Sequence, residues 1–131
     1  MNKIHQISAE HLSIEQIGEI IKNGTKLELS EDARQRIIRC REYLDNKIKE
    51  SETPIYGVTT GFGSLCKISI DKDSLSQLQK NLVMSHACGV GDRVPNEIVK
   101  IMLLLKIQSL SYGYSACQLK TVERLIDFFN N

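Results

Sequence analysis

The segment from Pro95 to Gly113 reads PNEIVKIMLLLKIQSLSYG and is unusually apolar at its centre. Pro95 suits the first position of a helix, because its ring already holds the backbone near the helical φ. The apolar residues that follow recur at helical spacing, and around Ile101 to Ile107 they cover most of the circumference. We therefore predict a helix that runs to about Gly113 and is buried on most sides, by other chains or by residues beyond this sequence.

Four further helices are predicted, each starting after a residue that favours a helix amino terminus. Their expected spans are Ser13 to Gly24, Ser30 to Glu50, Asp71 or Asp73 to about Gly89 or Gly91, and Ser115 to Asn130. The second of these should bury one apolar stripe, formed by Ala33, Ile37, Ile38, Tyr43, Leu44 and Ile48. Ile4 to Ile7 and Thr25 to Leu29 are predicted as short extended pieces, neither of which makes a sheet alone. The predicted fold class is all-α, with about five helices, a glycine-rich loop and at most short strands.

The composition is that of one ordinary globular domain. The chain has 131 residues, of which 41% are hydrophobic and 25% charged, so we expect a single unit over 1–131. A net charge of +1 gives the protein no overall electrostatic field that would attract nucleic acid or anionic membranes. With no run of about 18 apolar residues, no membrane helix is expected, and a cytoplasmic location is predicted. The four cysteines match no zinc-ligand spacing, so no metal site is predicted and the thiols are interpreted as core residues.

A glycine-rich loop is predicted over 54–69. Its residues 56–63 read YGVTTGFG, and three glycines among seven residues indicate that the backbone is closely approached. The stretch lacks the Gly-Lys-Ser/Thr of a P-loop and the Gly-x-Gly-x-x-Gly spacing, which argues against a nucleotide site. Composition alone favours a tight loop in which Tyr56 and Phe62 are packing anchors.

A second cluster, residues 81–91, reads NLVMSHACGVG at a predicted helix end. His86 is the residue here that could titrate near neutrality or form a specific hydrogen bond. No Gly-x-Ser-x-Gly elbow accompanies Ser85, and Cys88 has no motif of its own. Serine or cysteine hydrolysis is therefore not indicated. Taken alone, a histidine flanked by apolar residues is more often a core or capping side chain than a catalyst.

Together, the two clusters resemble those of the histidine ammonia-lyases, within the aromatic amino acid ammonia-lyase family. The resemblance covers about Ile55 to Asn131 and includes the later pieces MLLL (102–105) and GYS (113–115). It implies the amino-terminal part of an ammonia-lyase-like helical fold. Histidine-specific members carry Ser-His after Asn-Leu-Val-x, as Ser85-His86 does here, so the implied reaction is deamination of L-histidine to trans-urocanate.

The resemblance also implies residue roles. Tyr56 matches the catalytic tyrosine that takes the β-proton, and Gly63 matches a glycine of the catalytic site. His86 matches the histidine that holds the imidazole of the substrate. The implied cofactor is a methylidene-imidazolone, an electrophile formed from an Ala-Ser-Gly tripeptide, and the implied assembly is a homotetramer.

No Ala-Ser-Gly occurs in these 131 residues. The chain is therefore expected to be an amino-terminal fragment of a longer lyase, inactive alone and without the cofactor. Two alternatives stay open: a non-catalytic helical interaction module derived from the family, and an aromatic aminomutase that uses the same electrophile. The sequence also departs from the family at Ala116, where a glycine is common, and at Lys100 and Lys106, where arginine is common.

Overall fold

The computed structural model describes residues 3–51, 53–63, 70 and 72–131. Within these residues the fold is mainly helical, as predicted. Its strands are β1 (Ile4–Ile7) and β2 (Lys26–Leu29), and its helices are α1 (Ile14–Lys22), α2 (Glu31–Glu50), α3 (Leu75–His86), α4 (Asn96–Ser111) and α5 (Leu119–Asn130). A single 3-10 turn, Lys72–Ser74, precedes α3. No described helix is long and apolar enough to span a lipid bilayer.

Side-chain caps explain where the first two helices begin. Ser13 Oγ accepts the backbone N–H of Gln16 at 3.2 Å, and Gln16 Oε1 accepts the N–H of Ser13 at 2.8 Å, which completes a capping box. Ser30 Oγ accepts the N–H of Ala33 at 3.2 Å in the same way at the start of α2. The predicted starts of α1 and α2 are confirmed.

Two predicted helix starts are wrong. Asp73 lies inside the 3-10 turn and Ser74 occupies the N-cap position of α3, while Asp71 falls outside the described residues. Helix α5 begins after Gln118 instead of Ser115, because the intervening Ala116 has a φ of +51°, which a right-handed helix cannot accommodate. Helix α3 also ends earlier than predicted, at His86, where Ala87 leaves the helical backbone conformation.

Contacts divide the chain into two compact units: a first unit of Met1–Leu44 with Arg93–Asn131, and a second unit of Asp45–Asp92. In the first unit, β1 and β2 pair in parallel, from Ile4 opposite Lys26 to Ile7 opposite Leu29. Parallel pairing requires a crossover between the strands, and α1 provides it. The predicted single unit over 1–131 stays a prediction.

The core of the first unit is formed by side chains from both strands and from α1, α2, α4 and α5. These residues are Ile7, Ile20, Leu27, Ile37, Leu104, Ile107, Leu110, Val122, Ile126 and Phe129. Asn130, at the end of α5, closes the free edge of β2: its Oδ1 accepts the N–H of Leu27 at 2.8 Å, and its Nδ2 donates to the Leu27 carbonyl at 2.9 Å. The edge strand therefore has both of these backbone groups satisfied.

Helix α2 buries less of its apolar stripe than predicted. Ala33 and Ile37 are buried, whereas Tyr43 is 68% exposed. The prediction is wrong at Tyr43, because the core of the first unit covers only the first turns of the helix. In the second unit, every described side chain of α3 is exposed or half-buried.

Candidate active site

All three residues predicted for the site, Tyr56, Gly63 and His86, lie in the second unit. The loop from 53 to 63 carries the first two, and α3 ends at the third. Residues 64–69 of the predicted loop 54–69 lie outside the described residues.

Two threonine hydroxyls hold the backbone on either side of Tyr56. Thr59 Oγ1 accepts the N–H of Ile55 at 2.8 Å, and Thr60 Oγ1 accepts the N–H of Gly57 at 3.2 Å. Thr60 Oγ1 also donates to the Gly61 carbonyl at 2.9 Å, and this side chain is buried at 2% exposure. These bonds satisfy backbone groups that a loop without helical or strand pairing would leave open.

The Tyr56 side chain turns back over the end of the same loop. Its ring meets the ring of Phe62 edge to face, with centroids 6.0 Å apart and planes at 73°. Its hydroxyl oxygen accepts the backbone N–H of Gly63 at 3.4 Å. Tyr56 is nevertheless 63% exposed, so these contacts position the phenol without enclosing it.

The two glycines beside these rings are required for different reasons. Gly57 has a φ of +70°, and a Cβ there would lie 3.0 Å from Cε1 of Phe62, so a larger residue would displace the ring. Gly63 has a φ of +55°, but a Cβ there would meet no atom within 4 Å. Glycine at position 63 is therefore favoured by the backbone conformation and not by a close neighbouring atom.

His86 occupies the last position of α3, and its side chain is exposed. Its Nδ1 lies 2.9 Å from the Leu82 carbonyl oxygen and 3.0 Å from Ser85 Oγ. Ser85 Oγ in turn donates to the same Leu82 carbonyl at 2.8 Å. The ring is thus anchored through Nδ1, and the described residues form no hydrogen bond with Nε2.

Tyr56 and Gly63 are therefore in contact, as their shared loop allows. Among the described residues, no hydrogen bond or ring contact joins either of them to His86. The roles implied for Tyr56 and His86 require their side chains to approach one another around a shared cavity or open face, and this stays a prediction. Sequence reasoning missed the roles of Thr59, Thr60 and Ser85, although all three lie in the two motifs. Their hydroxyl groups hydrogen-bond the backbone on either side of Tyr56 and the ring of His86. Hydroxyl residues close to Tyr56 and His86 were the feature of the sequence that could have indicated these roles.

Comparison with known proteins identifies the family of this chain. A family model described as aromatic amino acid lyase matches residues 12–131. The chain belongs to the aromatic amino acid lyase family. A histidine ammonia-lyase from Deinococcus radiodurans is 46% identical over 119 residues, which are 91% of this chain and 22% of that protein. The chain spans about a quarter of the length of the curated relatives it matches.

Several solved structures share the fold of this chain. An ergothioneine-degrading ergothionase from Treponema denticola matches with a TM-score of 0.90 and 26% identity, over 98% of this chain and 26% of that one. A phenylalanine aminomutase from Pantoea agglomerans matches with a TM-score of 0.87 and 28% identity, over 98% of this chain and 25% of that one. The predicted ammonia-lyase-like helical fold is confirmed.

The described residues contain no group of three or more His, Cys, Asp or Glu side chains arranged to hold a metal ion. Cys88, two residues after His86, is exposed, so its interpretation as a core thiol is wrong. Cys40 and Cys117 are half-buried. Cys66 lies outside the described residues. What the described site offers is a phenol, an imidazole and hydroxyl groups.

Proposed function

We propose that the chain is the amino-terminal segment, 1–131, of a longer histidine ammonia-lyase that converts L-histidine to trans-urocanate and ammonia. The observation that carries the proposal is the contact between Tyr56 and Gly63, 3.4 Å from oxygen to nitrogen. It holds the phenol of an exposed tyrosine beside the exposed backbone of Gly63. Curated relatives named histidine ammonia-lyase, and the Ser85-His86 pair, support histidine as the substrate.

Tyr56 is the general base in this proposal. Deamination requires removal of a weakly acidic β-proton, and the phenolate oxygen of a tyrosine can accept it. The N–H of Gly63 donates to that oxygen, and a donor stabilises negative charge on its acceptor. The contact with Phe62 and the two threonine bonds keep the oxygen in one position, so little entropy is lost when the substrate arrives.

The residues around Gly63 fit a methylidene-imidazolone supplied from outside this segment. A Cβ at Gly63 would meet no atom within 4 Å, so the described residues leave room on that side of the backbone. When bound, the group supplies the electrophile that captures the substrate amine. Its Ala-Ser-Gly precursor is absent from these 131 residues, and we therefore propose that the chain alone is inactive.

His86 binds the imidazole of the substrate in this proposal. Its exposed ring, anchored at Nδ1, offers Nε2 for a hydrogen bond to the substrate. Assembly into a homo-oligomer, a tetramer by family resemblance, belongs to the same proposal.

The test uses the protein translated from the complete reading frame, with urocanate formation from L-histidine followed by its ultraviolet absorbance. We expect activity from the wild type and, in Tyr56→Phe, a loss of at least about 100-fold, the usual contribution of a positioned acid or base. Tyr43→Phe is the matched control, since Tyr43 is 68% exposed on α2 and should tolerate loss of its hydroxyl. Full activity of Tyr56→Phe, or an active isolated 131-residue chain, would refute the proposal.

The aminomutase alternative is favoured by one observation, the TM-score of 0.87 to a phenylalanine aminomutase. Analysis of the amino acid products separates the two outcomes, because a mutase returns a β-amino acid and a lyase releases ammonia.

The non-catalytic module is favoured by the lack of Ala-Ser-Gly in this sequence. A stop codon directly after Asn131 supports the module, and an Ala-Ser-Gly in the continuing frame supports the enzyme.

A further inference from the structure

Three polar atoms meet at the carboxyl end of α3. His86 Nδ1, Ser85 Oγ and the carbonyl oxygen of Leu82 lie 2.8 to 3.0 Å from one another, so each is within hydrogen-bond distance of the other two. The Leu82 carbonyl can only accept, whereas the hydroxyl and the imidazole nitrogen can each donate or accept. Within this triangle, only Ser85 Oγ and His86 Nδ1 can therefore carry a proton.

The Leu82 carbonyl favours the proton on Nδ1 of the ring, and Ser85 Oγ supplies a second acceptor for that proton. If Nδ1 were unprotonated, its lone pair would face the lone pairs of the Leu82 oxygen at 2.9 Å, two acceptors in contact. With the proton on Nδ1, that nitrogen donates to the Leu82 oxygen and to Ser85 Oγ, while the Ser85 hydroxyl donates to the Leu82 oxygen. Only the second arrangement gives every contact a donor and an acceptor.

We infer that Ser85 and the Leu82 carbonyl lock neutral His86 in the Nδ1–H tautomer, so that its Nε2 is a dedicated acceptor for an N–H group on the ring of the substrate. Ser85 is a positioning residue that acts through His86 and does not itself contact the ligand. This rests on the proposed function for the identity of the ligand, a histidine ring, but the tautomer itself does not depend on it.

The surroundings of Nε2 favour the same class of ligand. The ring lies at the carboxyl end of a 12-residue helix, where the helix dipole places partial negative charge. An imidazole N–H, or the N–H of an imidazolium, is attracted there. A phenyl ring supplies no donor and would leave the Nε2 lone pair without a partner after losing its water, which costs binding energy.

The first experiment measures the tautomer directly in the 131-residue chain. Two-bond nitrogen–proton NMR correlations of ¹⁵N-labelled protein distinguish a protonated ring nitrogen from an unprotonated one. With a neutral imidazole, we expect Nδ1 protonated and Nε2 bare in the wild type. Ser85→Ala should shift the population toward the Nε2–H form that free histidine favours in water, and Ser76→Ala, the same change on an exposed residue of α3, should not. A wild-type ring that carries its proton on Nε2 would overturn the inference.

The second experiment measures the consequence in the protein from the complete reading frame. Ser85→Ala should raise KM for L-histidine roughly fivefold, the effect of one weakened hydrogen bond, with kcat within about twofold. Ser85→Thr keeps the hydroxyl and should restore much of the affinity. An unchanged KM in Ser85→Ala, with the tautomer shifted, would overturn the role in recognition. Failure of the wild type to deaminate histidine would instead refute the proposed function and leave the NMR result intact.

Discussion

Replacing Gly113 with alanine should destabilise the first unit, because this glycine follows α4 and lies against Arg36 of α2. Its φ is +77°, and its N–H donates to the Leu110 carbonyl at 3.2 Å, which closes the helix. A Cβ at this position would lie 2.9 Å from both the Cβ and the carbonyl oxygen of Arg36. Two of the three nearest atoms belong to the backbone of α2, so the contact cannot be relieved by a side-chain rotation alone.

The magnitude combines three terms. The left-handed backbone costs a residue with a Cβ about 1–2 kcal/mol. Forcing the methyl group against the backbone of α2 adds about 1–3 kcal/mol, the usual cost of overpacking. The lower entropy of an unfolded alanine returns about 0.4–1 kcal/mol to the variant. We expect a net loss of about 3 kcal/mol for Gly113→Ala.

Urea unfolding followed by far-ultraviolet circular dichroism measures the loss as a fall in the free energy of unfolding. Gly24→Ala is the matched control, since Gly24 has a similar φ of +57° but a Cβ there would meet no atom within 4 Å. It should lose no more than about 1 kcal/mol, because only the backbone term applies. Equal losses in the two variants would refute the assignment of the larger cost to the contact with Arg36.

Two further predictions concern residues of the first unit, Ala116 and His5. Ala116 has a φ of +51°, so Ala116→Gly should raise the free energy of unfolding by about 0.5–1 kcal/mol. Ala87→Gly is the control, because Ala87 has a φ of −80°, and this change should lower the free energy of unfolding. A decrease in both variants would contradict the argument. Burial lowers the pKa of His5 from 6.5, so the unfolded chain binds the proton first as the pH falls. The free energy of unfolding should therefore decrease as the pH drops through 6.5. His5→Gln should weaken this dependence when the midpoint of urea unfolding is measured at several pH values. An unchanged pH dependence in the variant would contradict the prediction.

The residues of the candidate site were predicted from the sequence through its resemblance to the family, but their hydrogen bonds and ring contacts were not. The YGVTTGFG motif and the Ser85-His86 pair predicted Tyr56, Gly63 and His86. The contact between Tyr56 and Gly63 depends on how the chain turns at Gly57 and where Phe62 packs, and the motif does not specify either. Similarly, the motif contains Ser85, but its bond to the ring appears only once α3 ends at His86.

By itself, the sequence determined the helical class and the starts of α1 and α2, because caps and apolar periodicity act between residues three or four positions apart. Only the tertiary structure decided that β1 pairs with β2, that Asn130 closes the edge of β2, and that Tyr43 is left exposed. These outcomes join residues 22 to 103 positions apart or depend on what else covers a surface. Such contacts form only when the whole core packs, so no local pattern records them.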